Sequence, residues 1–135
     1  MQSLESAPAL LNAAVGWSSL ALGAASGALL GLGFHRADFL GGYDSYRRRL
    51  IRLGHIAFFG LGFVNLFFAL QAPQMRLAPH ELQSASWALI LGNATMPLAC
   101  ALTAWRAALK PVFAVPVATV LYGTISAAIG LWRAA

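Results

Sequence analysis

The sequence predicts an all-α membrane protein: a bundle of four transmembrane helices with both termini on the non-cytoplasmic side. Three observations predict it. Of 135 residues, 59% are apolar and only 10% are charged, whereas a soluble domain carries about 25% charged and 45–50% apolar residues. Mean hydropathy is +0.70. The apolar residues gather into four segments, each long enough to cross a hydrocarbon core of about 30 Å, which takes roughly 20 helical residues. The segments lack the alternation of barrel strands and are too long for them, and lipid does not tolerate an open sheet edge. Residues 1–135 read as one transmembrane domain.

The first helix is expected over about 8–34. The seven residues before it hold no Lys or Arg, so the basic start of a secretory signal is missing and the helix reads as retained. A polar loop, HRADFLGGYDSYRRR, follows at 35–49, with a turn signal at Gly41-Gly42 and candidate caps at Asp44 and Ser45. The second helix is expected over about 50–70. The linker QAPQMRLAP at 71–79 holds two prolines. The third helix is expected over about 82–108, with a start as early as Pro79. Proline suits the first helical position, and Glu81 then meets the helix dipole favourably. A short connection around Lys110-Pro111 makes the third and fourth helices an antiparallel hairpin, and the fourth helix is expected over about 112–132.

Orientation follows from the basic residues. Arg36, Arg47, Arg48, Arg49, Arg52, Arg106 and Lys110 fall on one side, and Arg76 and Arg133 on the other. The positive-inside rule places the first and third connections in the cytoplasm. Trp17, Trp87 and Trp132 then mark the outer boundary and Trp105 the inner one, as an aromatic belt does. With that explanation for the net charge of +5, nucleic acid is not an expected partner. No internal repeat suggests an inverted-repeat transporter.

The counts also exclude chemistry. Cys100 is the only cysteine, so an intrachain disulfide or redox pair is impossible. Glu5, Asp38, Asp44 and Glu81 all lie outside or at the edge of the apolar spans, unlike the buried carboxylates of proton-coupled pumps. Small multidrug resistance transporters have this size and helix count, but 8–34 holds no glutamate, and that family is set aside. Lys110, the only lysine, sits at a helix boundary and is no candidate for a retinal Schiff base. No nucleophile–base pair or multi-ligand metal spacing appears, so no enzyme activity is expected.

Four sets of residues remain. His55 is the ionisable group clearly inside an apolar run, sharing a face with Arg48, Arg52 and Phe59. A neutral imidazole there can ligate heme iron or bond a quinone, with His35 and Arg52 as candidate partners, or it can simply bond a neighbouring helix. Tyr46, Arg47, Arg48, Arg49 and Arg52 form a dense basic run at the membrane edge. It serves as an orientation signal and as a candidate site for anionic lipid or a partner subunit. Ser19, Gly23, Gly27 and Gly31 form a small-residue stripe for close helix packing, within the chain or with another copy or subunit. Asn12, Asn65, Asn93 and Thr95 are polar groups in apolar runs. The asparagines are expected to bond helix to helix, and Pro97 to kink the third helix by freeing the carbonyl of Asn93.

The stretch YDSYRRRLIRLGHIAFFGLGFVNLFFAL, residues 43–70, resembles small membrane proteins of GC-rich bacteria. Its Leu53-Gly54-His55-Ile56 segment resembles the start of histidine-bearing helices in respiratory membrane subunits. The likeness covers a few residues and assigns no role to any of them. The reading that follows is a small accessory or structural subunit of a larger complex in a bacterial inner membrane, respiratory or photosynthetic. The alternatives are a b-heme or quinone protein using His55, and a small-solute channel or transporter lined by Asn12, Asn65, Asn93 and Thr95.

Overall fold

The structure is a computed structural model and describes residues 6–135; Glu5 lies outside the described residues. Its α-helices are α1 (Ser6–Gly33), α2 (Tyr46–Gln71), α3 (Pro79–Trp105) and α4 (Ala114–Trp132). Among the described residues, four helical segments are long and apolar enough to cross a membrane.

The helix limits differ from the sequence expectation where local chemistry intervenes. α2 begins at Tyr46 rather than near 50, because Ser45 caps it. The Ser45 hydroxyl accepts from the Arg48 N–H at 3.1 Å and donates to the Leu40 carbonyl at 2.7 Å. That second bond ties down a loop in which Leu40, Gly41 and Gly42 all have positive φ, the last two being residues that adopt it without steric cost. The arginine run therefore belongs to the first two turns of α2 and not to the loop.

α3 begins at Pro79, and Glu81 Oε2 accepts from the Ala78 N–H at 2.8 Å. It ends at Trp105, three residues before the expected limit. Arg106 turns extended, and a 3-10 segment (Ala107–Phe113) containing Pro111 carries the chain into α4. Proline lacks the N–H that a continuing helix needs, so α4 starts later than expected, at Ala114.

The bundle is open. α1 packs along α2 and touches α3, α2 packs along α3, and α4 packs along α3; α1 and α4 form no extended contact to close the ring. Small residues set the close approaches. A Cβ on Gly16 of α1 would lie 2.9 Å from the Gly62 carbonyl of α2, and a Cβ on Gly62 would lie 3.2 Å from the Gly16 carbonyl. Gly54 of α2 meets Cys100 and Pro97 of α3, and Gly123 of α4 meets Leu89 and Ala85 of α3. An apolar core of Phe68, Ala72, Met75, Ala85 and Leu89 lies toward the 72–78 linker. The linker is held to α4 by the Arg76 N–H, which donates to the Gly130 carbonyl at 3.0 Å. The opposite end carries the arginine run of α2.

Candidate functional site

The polar residues of the helices fall into two kinds of cluster. The first is closed. Asn12, Asn65 and Ser86, from α1, α2 and α3, are 0%, 0% and 1% exposed. Asn12 Nδ2 donates to Asn65 Oδ1 at 2.7 Å, and the Ser86 hydroxyl donates to Asn12 Oδ1. Asn65 Nδ2 donates to the Leu61 carbonyl at 2.9 Å and reaches that of Leu89 at 3.4 Å. Two turns along α1, Ser19 donates to the Phe58 carbonyl at 2.7 Å and lies 3.0 Å from Asn93 Oδ1. Each cluster links three helices, as the packing role of the asparagines requires. Thr95 bonds back to the Leu91 carbonyl of its own helix, so it adds nothing to a shared polar path.

The second kind is half open. His55 of α2 meets Ser26 and Gly27 of α1. Ser26 Oγ lies 3.0 Å from His55 Nδ1 and 3.0 Å from the Gly23 carbonyl. A hydroxyl has one proton, and a carbonyl can only accept. Both bonds form together only if Ser26 donates to Gly23 and accepts from a protonated Nδ1. In a neutral imidazole this is the Nδ1–H tautomer, with its acceptor lone pair on Nε2. Nε2 bonds no atom among the described residues. The ring is held on edge by Phe59, 5.4 Å between centroids.

His55 borders a groove of about 470 Å³ between α1, α2 and α3, whose other walls include Leu29, Ile51, Phe58, Leu98 and Cys100. Gly54 lines the groove without a side chain, and Gly27 packs directly against the His55 ring. His35 and Arg52 do not line it. His35 is exposed in the turn after α1, roughly 12 Å along the helix direction from Gly27 at 1.5 Å per residue, and Arg52 turns instead toward Tyr43, 5.0 Å from its ring. Among the described residues no group of three or more His, Cys, Asp or Glu is placed to hold a metal.

The basic run is partly used by the protein itself. Arg47 Nε donates to the Ala104 carbonyl at 3.2 Å, which ties the start of α2 to the end of α3. Cations suit that end of a helix. Arg48 is buried against Phe34 and Tyr43, and Lys110 lies over Tyr46. Arg49 is exposed.

The small-residue stripe faces inward. Ser19 bonds α2, Gly23 lies against Phe59 and Gly27 against His55, while Gly31 has nothing within 4 Å. A second stripe was passed over in the sequence. Ala14, Ser18, Ala21, Ala25 and Ala28 are all exposed, on the opposite face of α1. Their four-three-four-three spacing places them on one face. The signal was present in the sequence, but a helix with small residues on both sides does not say which side is inside.

No protein-family model, curated protein or solved structure matches the chain.

Proposed function

We propose that this chain is an integral protein of a bacterial inner membrane, with both termini outside the cytoplasm. We propose further that it serves as a small accessory subunit of a larger respiratory or photosynthetic complex. The observation that carries the reading is the outward stripe of α1, Ala14 to Ala28 at helical spacing. Small residues on a lipid-facing surface let the backbone of another helix approach closely, the usual route to helix association in a bilayer. The polar interior supports the same reading. The asparagines are bonded among the helices, and this leaves the outer faces as the working surfaces. Exposed Trp17, Trp87, Trp105 and Trp132 fit an aromatic belt at the two interfaces.

The test is purification from native membranes in mild detergent, followed by native electrophoresis. Co-migration with a large complex, abolished by Ala21→Leu/Ala25→Leu while helicity is unchanged, is the expected result. A stable solitary monomer with an activity of its own overturns the reading.

A second reading rests on His55. A fixed imidazole with a bare Nε2 acceptor, facing an apolar groove, suits a lipophilic ligand that carries a hydroxyl, such as a quinol, and the same nitrogen suits heme iron. A Soret band or a bound quinone in the purified chain, lost in His55→Ala, supports this reading. Protein that carries neither counts against it.

A further inference from the structure

Among the described residues, no carboxylate forms an ion pair with Arg48. The residue is 7% exposed, and its Nε is buried with no hydrogen-bond partner among the described residues. The ion pairs among those residues, Arg36–Asp38 and Arg133–Glu81, do not involve it. Its guanidinium lies 4.4 Å from the centre of the Phe34 ring and 5.4 Å from that of Tyr43. Arg52 brings a second guanidinium to 5.0 Å from the same Tyr43 ring. Stacking occupies the faces of a guanidinium and leaves its N–H edge unbonded. That edge is what grips a phosphate or carboxylate by two parallel hydrogen bonds. Two like charges around one ring also repel, unless an anion lies between them.

We propose that Arg48 and Arg52, held by Tyr43, form a site for the phosphate of an anionic phospholipid. This rests on the reading of the chain as a membrane protein. The surroundings favour a lipid over a free ion. Within the next turn of α2 after Arg52, toward the middle of the span, Leu53 and Ile56 are exposed. A phosphate at the arginines thus has apolar ground for acyl chains on the side of the spans. Exposed Arg49 supplies general attraction to an anionic surface, whereas Arg48 and Arg52 supply a defined contact.

The experiment is native mass spectrometry of the full chain in detergent, titrated with phosphatidylglycerol, phosphatidylcholine or inorganic phosphate. Wild type is expected to retain one phosphatidylglycerol in preference to phosphatidylcholine. Arg52→Gln should weaken that retention roughly tenfold, the scale of one charge-assisted contact. Arg49→Gln should weaken it less than twofold. Tyr43→Ala should weaken it as well, without touching a charge. Arg48→Gln risks the fold, so Arg52 and Tyr43 carry the test. Equal losses for Arg49→Gln and Arg52→Gln mean a diffuse charge effect and overturn the site. Protection by inorganic phosphate equal to that by the lipid assigns the site to a free anion and overturns the lipid. Carbonate extraction of the source membranes separates the two levels. A chain released by carbonate defeats the membrane reading, whereas a retained chain whose Arg52→Gln variant binds like wild type defeats the site alone.

Discussion

Asn65 and His55 stand on the same helix, both reach across to α1, and both are polar residues in an apolar run. Around Asn65 the acceptors and donors of three helices meet, and the residue is fully buried. Around His55 one nitrogen is bonded to Ser26, the other bonds no atom among the described residues, and the residue borders a groove of about 470 Å³. The difference is the neighbour on α1. Opposite Asn65 stands a complementary amide, Asn12. Opposite His55 stand Ser26, which meets only Nδ1, and Gly27, which lets the ring pack against the α1 backbone and offers no polar side chain. Polarity inside a span thus has two meanings, and the residue across the interface decides between them. Where the partner is a second polar side chain, the pair holds helices together. Where it is a single hydroxyl beside a glycine, one ring nitrogen is left without a partner among the described residues.

The largest effect should come from breaking the approach on which the closed cluster depends. Gly16 lies one turn after Asn12, and Gly62 lies just under one turn before Asn65. Gly16→Val places a branched side chain where a Cβ alone would sit 2.9 Å from a backbone carbonyl. Backbone cannot step aside as a side-chain tip can. The expected loss is about 3 kcal/mol, the upper range for overpacking, and unfolding titrations in detergent would read it. A loss below that of Asn65→Leu would mean that the helices re-seat without the cluster.

Asn65→Leu comes next. It leaves the Asn12 amide buried without its partner, at a cost of about 2 kcal/mol. The double variant Asn12→Leu/Asn65→Leu should recover much of that loss, because removing both partners costs far less than orphaning one. Equal stability of the single and double variants would show that the two amides do not act as a pair.

His55→Ala should lower stability by less than about 1 kcal/mol, since one hydrogen bond at the edge of a groove is lost. It should also abolish whatever the groove holds. Ser26→Ala is the sharper probe. It leaves the imidazole in place and frees its tautomer, so ligand affinity should fall while stability stays near that of wild type. A cost for His55→Ala as large as that for Asn65→Leu would place His55 among the helix-linking residues and remove the contrast.

What the sequence could express follows the same physics. Helix existence was legible because length and hydropathy suffice for it. The Ser45 cap and the Pro79 start were legible because capping is local chemistry. The asparagines were legible as linkers, but which partners they would meet was not. Arg48 was unreadable as a buried residue, because its position depends on Phe34 returning from the end of α1. The end of α3 at Trp105 was missed because nothing apolar stops there; the break is an extended Arg106. Which face of α1 is internal was hidden as well. In a lipid-facing protein, outer and inner surfaces are both apolar, so periodicity loses the contrast that marks a core in water.

That ambiguity in α1 sets the smallest effect on stability and the last test of the comparison. Ser18→Leu falls on the outer stripe, where the residue is exposed, and the isolated chain should change by no more than about 0.5 kcal/mol. Gly23→Leu, five residues along on the inner stripe, meets the Phe59 ring at 2.7 Å from the Cβ position and should be far more costly. The two variants carry the same side chain on two faces of one helix. If Ser18→Leu spares the isolated chain yet releases it from its native complex, the outer face is the docking surface and the inner face is packing. If Ser18→Leu leaves the proposed complex intact, the outer stripe is not its docking surface, and α4 or the arginine-rich end becomes the surface to test.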